Sequence, residues 1–534
     1  MHTIGAPRLV LRSTILAFSL NLLVHAGAAA ATCESLVGFK GTVPGTTVSS
    51  ATLVARGSKV VPIGAARSNA PNLDSIDVPF CRVVLVIPRA INVEVWLPPP
   101  DAWNGKLQGV GNGGMNGLIG YAGLSAGVKR GYATVSSDLG HSSGSFDARW
   151  AAGDPAAVVD WGHRATHEMT VAAKALVNAF YDKAPRLSYF TGCSGGGRQG
   201  LMEAQRYPDD YDGIVAGAPT SAFTRLVAGG RLWVTLATLR EPDAYIPPAK
   251  VPLIARAVIE ACDANDGVRD GVLNDPRSCE FEPDTLLCVG EDAPTCLTRP
   301  QAQALKTIYR GSSNSRGEPI FPGYLPGGED GPRGWAATIT GKAPFESTQF
   351  VYANSFFKYM VFNDPQWNFR TFDYDRDVST TDGKLAAIIN ATNPDLSAFR
   401  ARRGKLIQYH GWSDPGVSPL SSITYYEQVA AATGSLKRTQ EFYRLFMVPG
   451  MQHCGNGPGP NEFDALSALE RWVEGGIAPD WVLASHKTLG VVDRTRPLCP
   501  YPAVARWSGS GSTDEAANFI CGESSQMRRE KSSR

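Results

Sequence analysis

The stretch LSYFTGCSGGGRQGLMEAQRY, residues 187–207, decides how this chain folds. Leu187 to Thr191 is a short apolar and aromatic run of the kind that forms a buried strand, and GRQGLMEAQRY, residues 197–207, reads as a helix. Between them, Gly192-Cys193-Ser194-Gly195-Gly196 fits G-x-S-x-G, a turn whose serine takes a strained conformation that bulkier neighbours would block. Strand, sharp turn and helix in that order predict an α/β sheet with Ser194 at a strand end. The pattern is short, however. With 56 glycines in 534 residues a chance match is expected, and Gly140-His141-Ser142-Ser143-Gly144 is a second one. SFDARWAAGDP follows it without a comparable strand and helix, so Ser142 reads as a loop residue.

Short β-branched and aromatic runs alternate with helical patterns on both sides of this stretch, as in an α/β fold. The expected strands are Arg82 to Leu97, Lys106 to Val110, Tyr132 to Asp138, Leu187 to Thr191, Gly213 to Gly217, Lys405 to Tyr409 and Tyr443 to Val448. A helix is expected from Thr166 to Tyr181, with Met169, Ala172, Ala173, Leu176 and Phe180 on one face. From 221 to 396 the alternation fades into a Pro-, Cys- and aromatic-rich stretch that reads as an insertion over the sheet. The predicted order is a first core segment (32–220), a lid (221–396) and a second core segment (397–525), followed by a basic, disordered tail (526–534). No internal repeat of solenoid length is present.

Residues 1–31 have the three parts of a secretory leader: Arg8 and Arg12, the apolar run Ile15 to Val24, and small residues from Ala26 to Ala31. That run is too short to span a membrane, and no other segment approaches 18 uninterrupted apolar residues. The mature chain therefore reads as secreted or periplasmic, with no membrane association once the leader is removed. Thr32 disfavours lipid attachment at Cys33, which also completes an even count of ten cysteines. Ten cysteines in an exported chain imply up to five disulfides, with on the order of a thousand connectivities open to arithmetic alone. Spacing favours Cys262-Cys279, Cys288-Cys296 and Cys499-Cys521 as local pairs and Cys33-Cys81 as an N-terminal staple, which leaves Cys193-Cys454. That last pair would bring Ser194 beside His453 or act simply as a long-range staple, and the two roles are compatible. A net charge of +1 offers no surplus of Lys and Arg for nucleic acid.

A serine hydrolase also needs an acid to orient its histidine. Asp414 follows the apolar run KLIQY, and His453 follows YRLFMV, so both are placed at strand C-terminal ends, where open α/β sheets build their sites. On its own Asp414 would be a turn carboxylate in S-D-P-G, but the chain order Ser194, Asp414, His453 is that of α/β-hydrolases. Gly109-Val110-Gly111-Asn112-Gly113-Gly114 matches the dinucleotide fingerprint, with Asp138 downstream, which gives an oxidoreductase reading. Against it, MNGLIGYAGLSAG is too rich in glycine for a firm helix, at about 1 kcal/mol for each glycine. A hydrolase would instead use this loop for the oxyanion, through the N–H of Gly113 or Gly114 together with that of Gly195. Asp263, Asp266 and Asp270, with two glycine bends between them, suit Ca²⁺ without matching an EF-hand, although the same residues could form a solvated acidic turn. Cys262 and Cys279 flank this loop.

Taken together, TGCSGGGRQG (191–200), GNGG (111–114), GYATVSSDLGH (131–141), CDANDGVRDGV (262–272), FNDPQWNFRTFDYDRD (362–377), GWSDPGVSP (411–419) and QHC (452–454) resemble the tannase and feruloyl esterase family over nearly all of the mature chain. That family also includes a mono(2-hydroxyethyl) terephthalate hydrolase. The resemblance implies an α/β-hydrolase core with a large inserted lid, a triad of Ser194, Asp414 and His453, and a disulfide between Cys193 and Cys454. It also implies Ca²⁺ held in the lid by Asp263, Asp266, Asp270 and the carbonyls of Val268 and Val272, with no organic cofactor. The implied partner is a small aromatic ester, either free or linked to a plant polymer. Phe345, Phe350, Tyr352, Phe356, Phe357, Tyr359, Phe362 and Trp367 are dense enough to clamp a planar acyl group, though aromatics are also core residues. Lys358 and Arg370 are the cations that an acidic substrate could use. The reading outside enzymology is a catalytically silent polyphenol- or carbohydrate-binding protein, which would have no need of three triad groups.

Overall fold

A computed structural model describes residues 1–3, 5, 31–63 and 76–523; the apolar run of the leader and the tail 526–534 lie outside these residues. Nine strands make the main sheet: β1 (Thr47–Val54), β2 (Phe80–Ile87), β3 (Ile91–Leu97), β4 (Lys106–Val110), β5 (Ala133–Ser137), β6 (Leu187–Cys193), β7 (Gly213–Gly217), β8 (Lys405–Gly411) and β9 (Tyr443–Val448). Their spatial order is β1-β2-β3-β5-β4-β6-β7-β8-β9. Pairing is antiparallel from β1 to β5 and parallel from β5 to β9. A mostly parallel sheet with helices on both faces is the α/β-hydrolase arrangement. β4, β5 and β7 are buried at every position, as parallel strands covered on both faces must be.

The expected single strand Arg82 to Leu97 is two strands, β2 and β3, paired as a hairpin. Pro88 lacks a ladder N–H, and Arg89 and Ala90 turn the chain with φ of 71° and 59°. Apolar residues on both sides masked this turn in the sequence. β1 was not expected, because its polar, half-exposed pattern gives little strand signal. β6 extends two residues beyond its expected end, into the elbow.

One face of the sheet is covered by α2 (Ala165–Tyr181) and α3 (Gly195–Arg206), which follow α1 (Tyr121–Lys129) in the chain; the other face is covered by α4 (Ala465–Gly475). In α2 the apolar face Met169, Ala172, Ala173, Leu176 and Phe180 is buried against the sheet. α3 is seated unusually close. A methyl group at Gly197 would lie 2.3 Å from the Gly217 carbonyl oxygen of β7, so only glycine allows this backbone-to-backbone contact.

Between β7 and β8 no residue joins the main sheet. The middle of this segment surrounds its own apolar cluster, in which Val251, Ile254 and Val258 of the helix Val251–Cys262 meet Leu305 and Ile308 of Arg299–Arg310, and Trp335. The second half packs Tyr352, Phe356, Phe357, Phe369 and Phe372 into the core of the sheet instead. Two C-terminal hairpins, Val482–Thr488 with Val491–Leu498 and Ala503–Trp507 with Phe519–Glu523, complete the chain. Among the described residues no helix is long and apolar enough to cross a membrane.

Gly197→Ala is expected to lower the unfolding free energy by about 1–3 kcal/mol, read as an earlier denaturant midpoint. An unchanged midpoint would show that α3 does not rest on β7 in this way.

Candidate active site

Ser194 stands between β6 and α3 with φ 62° and ψ −117°, a strained conformation for a residue with a side chain. Surrounding backbone keeps it there: its N–H donates to the Gly217 carbonyl at 2.9 Å, and its carbonyl accepts from Arg198 at 3.0 Å. Its side chain is largely buried, at the positive end of α3.

Beside it runs the loop after β4. The Gly111 N–H donates to the Thr191 carbonyl, and the Asn112 N–H to Gln199 Oε1 at 2.8 Å. Asn112 in turn donates to the carbonyls of Leu118 and Ser137. A methyl group on Gly195 would lie 2.8 Å from the Gly114 carbonyl oxygen, so the loop and the start of the helix touch backbone to backbone. Among the described residues, the N–H groups of Gly113, Gly114 and Gly195 have no acceptor. Unspent donors gathered around a serine at a helix N-terminus are what an oxyanion requires.

This loop does not lead directly into a helix: α1 begins only at Tyr121, so the loop does not itself open the helix that the dinucleotide fingerprint demands. Asp138 is likewise committed, accepting from the Asn92 and Gly140 N–H groups. Ser142 is an exposed loop residue.

All ten cysteines are paired, as Cys33-Cys81, Cys193-Cys454, Cys262-Cys279, Cys288-Cys296 and Cys499-Cys521. The second bridge joins residues 261 apart in sequence, with a Cα–Cα distance of 6.0 Å, and ties the residue before Ser194 to the residue after His453. His453 Nδ1 lies 2.6 Å from Asp414 Oδ2. An ionised carboxylate can only accept, so Nδ1 carries the hydrogen and Nε2 is left as a base.

Asp414 is fully buried, and its other oxygen accepts the backbone N–H groups of Gly416 at 2.7 Å and Val417 at 2.9 Å. Burial alone would raise its carboxyl. His453 and the hydrogen bond from His410 outweigh that and hold it well below the usual carboxylate range. His410, on β8, reaches Asp414 Oδ2 at 3.1 Å and was missed in the sequence reading. Its signal was a histidine inside an apolar strand, four residues before the acid.

The inserted segment grips the loops that carry Asp414 and His453. Ser413 Oγ donates to the Gly327 carbonyl, Gln349 Nε2 to that of Pro415, and an Arg333 N–H to that of His453 at 2.9 Å.

A cavity of about 920 Å³ opens between residues 144–149 and 350–359, lined by Phe146, Phe350, Tyr359, Arg149 and Lys358 among others. It adjoins the loop after β4, because a methyl group on Gly114 would strike the Ser145 carbonyl at 2.6 Å. Of the aromatics singled out, Phe350 and Tyr359 face this cavity, whereas Tyr352, Phe356 and Phe357 are core. Phe345 is exposed, and Phe362 and Trp367 pack with Phe357. Arg370 lies over Phe369 and donates to the Leu239 carbonyl, so of the two candidate cations only Lys358 lines the cavity.

In the acidic loop, Asp266 and Asp270 accept from the N–H groups of Val268 and Val272, and Asp263 accepts from Gly271. The carbonyls of Val268 and Val272 accept no hydrogen bond among the described residues, and the bridge Cys262-Cys279 closes the loop. Such a set of hard oxygen donors suits Ca²⁺ in kind. The three carboxylates do not all come within 4.8 Å of one another, however, and Asp270 Oδ2 meets Arg496 at 2.7 Å. Among the described residues the group that does converge is His167, Glu203 and Asp210, next to Lys174 on α2.

Comparison with known proteins gives concordant results. Residues 81–522 match the family described as tannase and feruloyl esterase. An uncharacterized esterase of Xanthomonas campestris pv. campestris is 42% identical, over 98% of this chain and 96% of its own. The mono(2-hydroxyethyl) terephthalate hydrolase of Piscinibacter sakaiensis is 34% identical, over 92% of each chain. The crystal structure of feruloyl esterase B from Aspergillus oryzae superposes with a TM-score of 0.84 at 30% identity, covering 92% of this chain and 99% of that one.

Two outcomes follow from the site geometry. A methyl group at Gly416 would lie 3.2 Å from Asp414 Oδ1 and 3.3 Å from His453 Cγ, so Gly416→Ala is expected to lower kcat about 3- to 30-fold with KM little changed. Wild-type kcat would mean that these two groups do not depend on each other's placement. Because the Asp414 carboxyl is depressed in the folded state, its stabilising contribution is present above the unfolded value of about 3.9 and lost as pH falls toward the folded value. The stability gap between wild type and Asp414→Asn should therefore narrow below about pH 4. Denaturant titrations at several pH values measure it, and a gap that widened there would contradict the sign.

Proposed function

The chain belongs to the tannase and feruloyl esterase family and is a carboxylic ester hydrolase, and on that premise we propose that it is an exported serine esterase for aromatic acid esters, working through Ser194, His453 and Asp414. The observation that carries this reading is the bridge Cys193-Cys454 together with the 2.6 Å contact between His453 and Asp414. One ties the residue before the serine to the residue after the histidine, and the other supports the tautomer that leaves Nε2 free as a base.

In the proposed reaction, Ser194 Oγ attacks the ester carbonyl while its proton passes to His453 Nε2. The carbonyl oxygen becomes an oxyanion held by the N–H of Gly195 and by that of Gly113 or Gly114. Collapse of this intermediate breaks the bond to the alkoxy oxygen, which leaves as the alcohol with the proton from His453, and the acyl group stays on Ser194. Water then attacks the acyl carbon, gives its proton to His453, and releases the acid and the free serine. Asp414 remains ionised throughout and stabilises the imidazolium.

The acyl group proposed is planar and aromatic: a hydroxycinnamate, a gallate or a terephthalate monoester, with Phe350 and Tyr359 as the flanking rings. Lys358 in the same cavity would favour a substrate carrying a carboxylate. Export accords with the five disulfides, which persist in oxidising compartments. A structural Ca²⁺ on Asp263, Asp266, Asp270 and the carbonyls of Val268 and Val272 belongs to the proposal. Loading would require Asp270 to turn from Arg496 toward the loop.

Ser194→Ala should cut hydrolysis by at least about 10⁴-fold without changing the melting temperature, and undiminished turnover would remove the serine from its role. Methyl ferulate, methyl gallate, chlorogenate and mono(2-hydroxyethyl) terephthalate, compared by kcat/KM, identify the acyl group. Aliphatic esters surpassing all four would refute the aromatic class. Chelation by EGTA should lower the melting temperature reversibly, with Ca²⁺ restoring it. A temperature indifferent to both would remove the metal.

A further inference from the structure

His410 ends the run Lys405-Leu-Ile-Gln-Tyr-His410 of β8, and its side chain has no solvent exposure. A histidine is out of place in such a strand unless every ring atom finds a partner. Here both nitrogens do. Nδ1 lies 2.7 Å from Ser422 Oγ, and Nε2 lies 3.1 Å from Asp414 Oδ2 and 3.1 Å from the Val417 carbonyl. Those two oxygens can only accept, so the hydrogen sits on Nε2. A neutral ring then has a bare Nδ1, which accepts the Ser422 hydroxyl hydrogen.

The result is a closed circuit around the acid. The Val417 N–H donates to Asp414 Oδ1, the Val417 carbonyl accepts from His410, and His410 donates to Asp414 Oδ2. Two backbone donors secure Oδ1 but do not determine where Oδ2 points. Oδ2 has two side-chain donors, His453 on the reacting side and His410 behind it.

Building on the triad reading above, we propose that His410 is a positioning residue for ester hydrolysis: its Nε2–H holds the Asp414 carboxylate in the orientation that receives His453, and Ser422 anchors the ring by donating to the Nδ1 that this tautomer leaves bare. His410 touches neither the serine nor the substrate cavity. Its effect is confined to how well Asp414 orients and stabilises His453 during proton transfer, which is expressed in kcat and not in KM.

The test uses two amides that differ in which ring nitrogen they imitate. His410→Gln places an N–H near the Nε2 position and should keep kcat within about threefold of wild type. His410→Asn places one near Nδ1 and loses the Asp414 contact. A hydrogen bond to a charged group at this level corresponds to a fall in kcat of about 10- to 100-fold, with KM within twofold. In an Asp414→Asn background the same His410→Asn change should cost less than about threefold, because its target is already gone. Wild-type kcat in His410→Asn, or a loss undiminished in the Asp414→Asn background, overturns the proposal.

If His410→Asn fails to fold, Ser422→Ala, which removes a single buried oxygen, decides the matter. It should lower kcat about 3- to 10-fold at constant KM, and an unchanged kcat overturns the proposal. Retained activity in Ser194→Ala or Asp414→Asn alone would instead sink the triad reading. The two failures are therefore distinguishable.

Discussion

One covalent constraint organises the chemistry: the sulfur–sulfur bond between Cys193 and Cys454. By a chain-entropy argument, closing a loop of this length restricts the unfolded chain by about 5–6 kcal/mol, but the positions of the two cysteines matter more than the magnitude. Each is the immediate neighbour of a residue of the proposed triad. Ser194 and Cys454 also both have positive φ, at 62° and 63°, so the backbone turns sharply at each end of the bridge. A tether at a sharp turn fixes direction as well as distance, and an orienting disulfide needs both.

The second dependence is electrostatic. A carboxylate buried like Asp414 gives up hydration worth several kcal/mol, and it remains ionised because its two oxygens accept from Gly416, Val417, His410 and His453. Two of these donors come from the turn that carries the aspartate, one comes from the preceding strand, and one is the proposed base, His453. The acid is therefore built largely by its own segment, 410–417, and β8 delivers it as a unit. By contrast, the proposed oxyanion donors come from two distant segments, which only glycines allow to approach. Gly195 against Gly114 and Gly111 against Gly196 are contacts that any side chain would part.

Much of this was legible in the sequence, for reasons that differ by residue. Ser194 stood out as a candidate because the elbow constrains composition on both sides, and Asp414 and His453 because each follows an apolar strand, which the structure places in the parallel part of the sheet. β1 and the turn at Pro88 escaped because an edge strand is polar and because apolar residues flank the turn. His410 escaped for another reason. It looks like one more residue of a buried strand, and only the fold shows that Asp414, Val417 and Ser422 surround its ring. The aromatic stretch 345–367 was ambiguous in principle, since stacking on a substrate and packing in a core select the same residues. The structure divides it, with Phe350 and Tyr359 at the cavity and Phe356 and Phe357 inside.

The inserted segment shows why specificity and catalysis are hard to separate in this architecture. Residues 323–333 hold the loops of both Asp414 and His453: Gly327 accepts from Ser413, Gly323 accepts from Ser418, and Arg333 binds the His453 carbonyl. Residues 350–359 then line the cavity while the adjacent Gln349 holds the Pro415 carbonyl. A change that reshapes the cavity therefore pulls on the turn carrying the acid, through one side chain. A lid hinged away from the core could vary its aromatics freely; this one also braces the proposed triad, which leaves freest the positions such as Phe350 and Tyr359, whose rings face the cavity and for which no hydrogen bond to the Asp414 and His453 loops is formed among the described residues.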